Sequence, residues 1–204
     1  MSTPPKTMIH ASEDEAEAIR EAVRGADPKS LGGGRAIAEM KHVPGLVELL
    51  ADERVSGPIY DLPKPITSES VTRWLAERQA ERLAGEGLLF VTLDARGKVA
   101  GYSHIAVWPE RSAAELAGAI RADLQGKGQG SAGMARTFDW IFETLGVRMM
   151  CLTAALDNAR SQKAIDAAGF TRMGEREVVK PDGTTRASVY WEMTKDAWVR
   201  RHRL

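Results

Sequence analysis

The sequence is poor in cysteine, in histidine pairs and in net charge, and each shortage excludes a class of function. It holds one cysteine, Cys151, among 204 residues, which excludes an internal disulfide framework and a multi-cysteine zinc site. Its four histidines are scattered and never fall in a His-x-x-x-His spacing, which argues against a histidine-rich metal site. We therefore expect no bound metal.

Neither the charge nor the hydropathy of the chain indicates a macromolecular partner. The 28 basic side chains cancel the 28 acidic ones, so the chain has no global basic field of the kind that attracts nucleic acid or anionic membranes. No run approaches 18 apolar residues, and residues 1–24 lack an apolar core flanked by basic residues. We expect a cytoplasmic protein that binds neither nucleic acid nor membrane.

The organisation of the chain predicts one domain with an appendage before it. Its length and its 43% of hydrophobic residues are typical of a globular protein with one sizeable core. Residues 12–15 read as a capping box that opens a short acidic helix, and three glycines at 32–34 then break the pattern. We predict an N-terminal appendage, partly helical, over 1–34 and a single domain over 35–204.

Hydrophobic periodicity predicts alternating strands and helices in the domain. The predicted strands cover 35–39, 88–93, 99–108, 113–121, 148–154, 178–179 and 187–193. The predicted helices cover 43–50, 67–83, 131–145 and 159–168. This order indicates an α/β protein with helices packed on a mixed sheet.

A glycine-rich segment at 125–130 is the strongest local signal. Its three glycines, spaced by single residues before a helix, let backbone N–H groups converge on a pyrophosphate. A Walker loop is excluded because Lys127 is followed by Gly128 rather than serine or threonine. A dinucleotide fingerprint formally fits 128–133, but five residues separate it from the strand and few remain after it. A glycine loop without a ligand is the third interpretation.

A second motif favours one interpretation of that loop. Asn158-Ala159-Arg160-Ser161 opens a helix that ends in Gly169-Phe170. A Q-x-x-G-x-G loop followed at this distance by N-x-x-S and such a helix resembles the GNAT superfamily of acetyl-CoA-dependent N-acetyltransferases, and the layout resembles its RimJ/RimL-type branch. The resemblance implies a mostly antiparallel sheet splayed at its centre, with helices on both faces and acetyl-CoA as cosubstrate.

The resemblance also implies which residues contact the coenzyme. The end of the fourth predicted strand aligns with the segment that pairs with the pantetheine arm, the glycine-rich loop with the pyrophosphate site, and the N-x-x-S motif with polar groups near the arm. These residues are Gly118, Ala119, Ile120, Gln125, Gly126, Lys127, Gly128, Gln129, Gly130, Ser131, Asn158 and Ser161.

The chemistry of the family is direct attack of an amine on the thioester, so a carbonyl polariser, a base and an acid are needed. The resemblance makes the backbone N–H of Ile120 the expected polariser. For the base we name Glu115 and His104. Many members have a tyrosine acid where this chain has Ile165, so Ser161 is our first candidate for the acid.

Two tyrosines, Tyr190 and Tyr102, are weaker candidates for the acid. The resemblance leaves the acceptor open between a protein N-terminus and a small-molecule amine, and a homodimer is compatible with it. Because Ile165 cannot donate a proton, a non-catalytic acyl-CoA-binding sensor or interaction module is the alternative function.

Overall fold

A computed structural model describes residues 3–125, 129–180 and 183–202, with only the backbone described at 129–132. Its centre is one seven-stranded sheet in the order β1-β2-β3-β4-β5-β7-β6. The strands are β1 (Arg35–Ile37), β2 (Gly87–Leu93), β3 (Val99–Trp108), β4 (Ala113–Ile120), β5 (Met149–Ala155), β6 (Thr171–Val179) and β7 (Thr185–Thr194). Every neighbouring pair is antiparallel except β4 and β5, which are parallel.

Seven helices surround the sheet in the described part of the chain. They are α1 (Glu13–Gly25), α2 (Val43–Ala51), α3 (Glu53–Ser56), α4 (Ser68–Ala84), α5 (Gln129–Thr144), α6 (Ala159–Ala167) and α7 (Lys195–His202). Helix α4 begins in a capping box, in which Thr67 and Ser70 exchange backbone-to-side-chain hydrogen bonds. Among these described helices, none has the length and apolarity needed to span a bilayer.

Strand alternation divides the buried side chains between two faces of the sheet. On the first face, α1, α5, α6 and α7 cover a large core that includes Phe90, Ile105 and Trp191. On the second face, α2 and α4 cover β1, β2 and β3 around Leu89 and Tyr102. The α/β architecture with helices on both faces, predicted from the sequence, is confirmed.

The residues before β1 pack against this sheet. Ile19 and Val23 of α1 are buried in the first-face core. Residues 3–7 cross the second face of β7, where the backbone N–H of Thr7 donates a 3.0 Å hydrogen bond to Glu192 Oε1. The division at residue 34 stays a prediction, and residues 13–23 share their core with the sheet.

Two elements at the end of the chain were predicted in part or not at all. Strand β6, predicted only at 178–179, begins at Thr171, and its side chains are mostly exposed, so it carries no apolar alternation for a sequence pattern to show. Helix α7 was not predicted; it buries only Trp198 and is mostly polar. Both lie at the margin of the sheet, where few side chains are buried and the sequence therefore shows little hydrophobic periodicity.

Candidate active site

Strands β4 and β5 separate from each other halfway along their length. Their backbones pair from Ala113 and Met149 only as far as Glu115 and Cys151. Strand β4 nevertheless continues to Ile120, and β5 continues to Ala155 while paired with β7 on its other side. The separation leaves a wedge-shaped cleft in the middle of the sheet, as the splayed fold implied by the sequence requires.

The amide groups that face this cleft follow from the register of β4. Arg121 N–H donates a 2.8 Å hydrogen bond to Ala100 O, so the Ile120–Gly101 pair is a non-hydrogen-bonded pair of the β3–β4 ladder. The N–H and C=O of Ile120 therefore point away from β3, and those of Gly118 and Leu116 do so by alternation. In the parallel ladder, the Glu115–Cys151 pair uses the N–H of Leu116 as a donor to β5, so the N–H groups that face the open part of the cleft are those of Gly118 and Ile120.

The end of β4 is tied to α6 through Gln125. The Gln125 side chain donates a 2.9 Å hydrogen bond to Ile120 O and accepts a hydrogen bond from Arg160 Nη1. Of the predicted pyrophosphate loop, Gly126, Lys127 and Gly128 lie outside the described residues. Gln129, Gly130 and Ser131 form the first turn of α5, whose backbone alone is described.

The N-x-x-S motif forms the start of α6. Asn158 is the N-cap, and its side-chain oxygen accepts a 3.1 Å hydrogen bond from Ser161 N–H, which satisfies one of the free donors of the helix end. Ser161 is half-buried in the first turn. Ile165 is buried in the first-face core, where a hydrophobic residue is expected.

Glu115 is the carboxylate of the cleft. It lies on the second face at the last paired position of β4 and is 4% exposed. Its Oε1 accepts a 2.6 Å hydrogen bond from Thr153 Oγ1 on β5. Thr153 was missed by sequence reasoning, although it is the one polar residue in the otherwise apolar Met149–Ala155.

His104, the other predicted base, is engaged elsewhere. It lies on β3 opposite Ala117, it is 3% exposed, and its Nε2 is 3.0 Å from Glu81 Oε2 on α4. The second oxygen of Glu81 pairs with Arg78 at 3.0 Å. This row of three side chains joins α4 to the sheet, so the geometry favours Glu115 over His104 as the base.

A family model and solved structures identify what this arrangement is similar to. The model described as "Acetyltransferase (GNAT) domain" matches residues 35–171, which is more than half of the chain. The chain belongs to the GNAT acetyltransferase family. No protein with a curated description matches the sequence significantly.

Solved GNAT structures share the fold at low sequence identity. The ribosomal-protein-S5-alanine acetyltransferase of Vibrio fischeri is 18% identical with a TM-score of 0.66, and the alignment covers 80% of this chain and 93% of that one. Mycobacterium smegmatis RimJ in complex with CoA-disulfide is 19% identical with a TM-score of 0.66, over 79% and 81% of the two chains. A GCN5-related N-acetyltransferase from Brucella melitensis is 20% identical with a TM-score of 0.64, over 80% and 76%.

The GNAT fold excludes the dinucleotide interpretation of the glycine-rich loop. A doubly wound dinucleotide-binding sheet is mostly parallel, whereas only β4 and β5 are parallel among the strand pairs of residues 3–125, 129–180 and 183–202. In the same residues, no group of three or more His, Cys, Asp or Glu side chains is arranged to hold a metal ion.

The two tyrosines are poorly placed to supply a proton in this GNAT cleft. Tyr102 is buried edge-on against Trp74 at 5.5 Å between ring centres, and burial raises its pKa well above the ordinary value. Burial also raises the pKa of Tyr190, whose hydroxyl donates a 2.6 Å hydrogen bond to Glu192 Oε1. Neither hydroxyl is therefore well suited to protonate the leaving thiolate.

Cys151 is a core residue, as its place in an apolar strand predicts. Its exposed fraction is 0%. Burial raises the pKa of its thiol well above the ordinary value, and the charge of Glu115 adds to that shift. A buried thiol that stays protonated is a poor nucleophile.

Proposed function

We propose that this chain is an acetyl-CoA-dependent N-acetyltransferase, in which a primary amine attacks the thioester directly. One observation carries the proposal. Strands β4 and β5 part immediately after Glu115, which brings a row of free backbone amides and a buried carboxylate to the same cleft. A backbone cleft of this kind suits a ligand with amide groups of its own, and the pantetheine arm of coenzyme A has two.

The free edge of β4 would hold the pantetheine arm as an additional strand. The N–H groups of Gly118 and Ile120 and the carbonyl groups of Leu116 and Gly118 face the cleft, and an extended amide-bearing ligand binds such an edge through main-chain hydrogen bonds. Gly118 and Ile120 are also exposed. The neighbouring loop 125–131 is proposed to bind the pyrophosphate, with Arg160 of α6 beside it through Gln125.

The thioester carbonyl would be polarised by a backbone amide of β4. The resemblance implies Ile120, whose N–H points away from β3. A fixed N–H aimed at the developing oxyanion stabilises the transition state without reorganisation.

Glu115 is proposed as the base that takes the proton of the attacking amine, directly or through a water molecule. Thr153 donates to Glu115 Oε1, which fixes the orientation of the carboxylate that is proposed to accept the proton. Ser161 stays our candidate for the acid that protonates the leaving thiolate. Its position in the first turn of α6 also exposes the thiolate to the free N–H groups of that helix end.

The acceptor is proposed to be a protein N-terminus or a small-molecule amine. Relatives in the fold include an acetyltransferase of ribosomal-protein alanine, which favours the first. The alternative function, an acyl-CoA-binding sensor, is motivated by Ile165 and predicts binding without turnover.

Two measurements test the proposal. Isothermal titration should show coenzyme A binding to the wild-type chain, and the double variant Gly128→Asp, Gly130→Asp should lose it. Gly25→Asp is the matched control, because Gly25 is exposed at the end of α1 and a side chain there meets nothing within 4 Å. Equal binding by the double variant and the wild type would refute the proposed pyrophosphate loop.

Release of free thiol from acetyl-CoA then separates the enzyme from the sensor. The enzyme releases thiol faster when amines are added. A chain that binds coenzyme A but releases no thiol above the hydrolysis rate, with peptides and small amines alike, is the sensor.

A further inference from the structure

Two arginines, Arg35 of β1 and Arg136 in the second turn of α5, lie close to each other without an anionic partner. Neither guanidinium forms an ion pair with a carboxylate of the described residues. Burial lowers the pKa of Arg35, and the positive charge of Arg136 lowers it further. Two like charges that repel each other in this way form a site that an anion would complete.

Backbone carbonyls hold Arg35 in place and leave its charge unneutralised. Its Nη1 donates hydrogen bonds of 3.3 Å to Leu31 O and 3.1 Å to Gly32 O. Its Nη2 lies 3.9 Å from the position that a Cβ on Gly133 of α5 would take. Arg136 lies three residues after Gly133, which puts both residues on one face of the helix. The site therefore has one fixed guanidinium against α5 and one exposed guanidinium on that helix.

The strand register places this pair beside the proposed coenzyme site. Arg35 lies two residues before Ile37, which packs against the first-face core, so its side chain lies on the first face with α5. It pairs with Thr92 of β2, which pairs with Gly101 of β3. Gly101 in turn pairs with Ile120 at the end of β4. Arg35 and Ile120 thus share one row and one face, three inter-strand spacings of about 4.8 Å apart.

A phosphate monoester is the anion that fits two arginines at this place. It carries about −1.5 to −2 charges at pH 7, and an arginine donates two parallel hydrogen bonds to its oxygens. Coenzyme A has one such group, on the 3′ oxygen of its ribose, a single sugar ring from the pyrophosphate. Arg160, the basic side chain described on the α6 side of the loop, already binds Gln125.

We propose that Arg35 and Arg136 bind the 3′-phosphate of coenzyme A. This assignment rests on the proposed function and adds to it a basis for distinguishing coenzyme A from its 3′-dephospho form. Arg35 supplies donors that are already oriented, and the exposed Arg136 supplies the second positive charge. The phosphate neutralises both guanidinium groups, so their mutual repulsion disappears when the coenzyme binds.

Calorimetric titration of coenzyme A and of 3′-dephospho-coenzyme A tests the proposal without turnover. The two ligands differ only by the 3′-phosphate, because both carry the pyrophosphate and the pantetheine arm. We expect the wild type to bind coenzyme A about tenfold more tightly than the 3′-dephospho form, the effect of a hydrogen bond between charged groups. This preference should shrink as the salt concentration rises, because salt screens an exposed charge such as that of Arg136.

Variants assign the preference to the two arginines. Arg136→Gln and Arg35→Gln should each reduce the preference to about threefold or less and leave the dissociation constant of the 3′-dephospho form unchanged. Arg73→Gln is the matched control, because it removes the same charge from an exposed side chain of α4, on the second face. Arg136→Gln should also melt at the same or a higher temperature than the wild type, because it relieves the repulsion of Arg35.

The contrary outcomes are distinct from one another. Equal binding of both ligands by the wild type would show that no site for the 3′-phosphate exists. If Lys163→Gln on α6 removes the preference and Arg136→Gln keeps it, the phosphate lies toward α6 and the assignment is wrong. Arg136→Gln that weakens both ligands equally, or that melts at a lower temperature, would assign Arg136 to the fold instead.

Failure of the proposed function has its own signature in the same titrations. If neither ligand binds the wild type, the acetyl-CoA site and the 3′-phosphate site fail together. The double variant Gly128→Asp, Gly130→Asp should weaken both ligands by the same factor, because it changes the loop proposed for the pyrophosphate that they share. A wild type that binds both ligands equally, with that double variant binding neither, keeps the proposed function and overturns only the assignment of the arginines.

Discussion

The hydroxyl of Thr153, two residues past the last paired position of β5, donates a 2.6 Å hydrogen bond to Oε1 of Glu115, the last paired residue of β4. The two side chains therefore join the strands just where their backbones part. The bond holds the buried carboxylate at the inner end of the cleft. An orientation of this kind is what a proton acceptor needs before an amine arrives.

Replacing Glu115 tests its role as the base. We expect Glu115→Gln to lower kcat/KM by about 10²–10⁴-fold, since a positioned general base contributes an effect of that size. A variant that keeps kcat/KM within about threefold of the wild type would show that another group accepts the proton.

Two variants of Thr153 distinguish whether its hydroxyl orients Glu115 or its side chain only fills space. We expect Thr153→Val, which keeps the shape of the side chain, to lower kcat by about tenfold because the carboxylate loses its orienting donor. Thr153→Ser restores a hydroxyl and should recover most of the activity. Equal losses in both variants, measured by steady-state kinetics, would indicate a packing effect.

The pair of His104 and Glu81 is predicted to serve stability. We expect His104→Gln to lower the free energy of unfolding by about 1–3 kcal/mol, because Glu81 loses a buried partner, and to leave kcat/KM within about threefold of the wild type. Urea titrations of His104→Gln, Glu81→Gln and the double variant give the coupling energy, expected at about 0.5–3 kcal/mol. If His104→Gln lost as much activity as Glu115→Gln, His104 would again be a candidate for the catalytic base.

The hydrogen bonds between residues 3–7 and Glu192 predict that the stability of the fold depends on pH. Burial raises the pKa of Glu192, but hydrogen bonds from Thr7 and Tyr190 outweigh it, and the pKa lies below the ordinary value of 4.5. A group whose pKa is lower in the folded state stabilises above the unfolded-state pKa, and this contribution is lost as pH falls through the folded-state pKa. We expect the free energy of unfolding to decrease below about pH 4.5.

The variant Glu192→Gln isolates this contribution. Its unfolding free energy, measured in urea between pH 3 and pH 7, should decline less steeply than that of the wild type below pH 4.5. Thr7→Val, which removes one donor, should fall between the two. Parallel curves for all three proteins would exclude Glu192 as the source.

Cys151 is predicted to be inert in the folded protein. Burial, aided by the charge of Glu115, raises the pKa of its thiol, so the thiolate fraction at pH 8 is small and a reagent has no access. We expect Ellman's reagent to label no thiol in native protein and one thiol per chain in 6 M guanidinium. Rapid labelling of native protein would contradict the buried position and would also add a background to the thiol-release assay.

Strongly periodic elements could be read from the sequence alone. The stripe of Phe138, Ile141, Phe142 and Leu145 predicted α5, because an apolar face at helical spacing has few other uses. All four side chains are buried. The splayed sheet, in contrast, followed only from the resemblance, since the local pattern of β4 and β5 does not show where their pairing stops.

The finer parts of the site depend on contacts between distant residues. Thr153 meets Glu115 across 38 positions of sequence, and Arg160 meets Gln125 across 35. A local pattern carries no information about such pairs. His104 shows the reverse case, because a histidine among apolar strand residues looks the same in sequence whether it faces a substrate or Glu81.

The register of β4 has a consequence for hydrogen exchange. The N–H groups of Ala117 and Ala119 donate to β3, whereas those of Gly118 and Ile120 face the cleft. From Ala117 to Ile120, slowly and rapidly exchanging amides should therefore alternate residue by residue. Pantetheine lying along β4 would slow the rapid set alone, so the strand itself reports whether the cleft is filled.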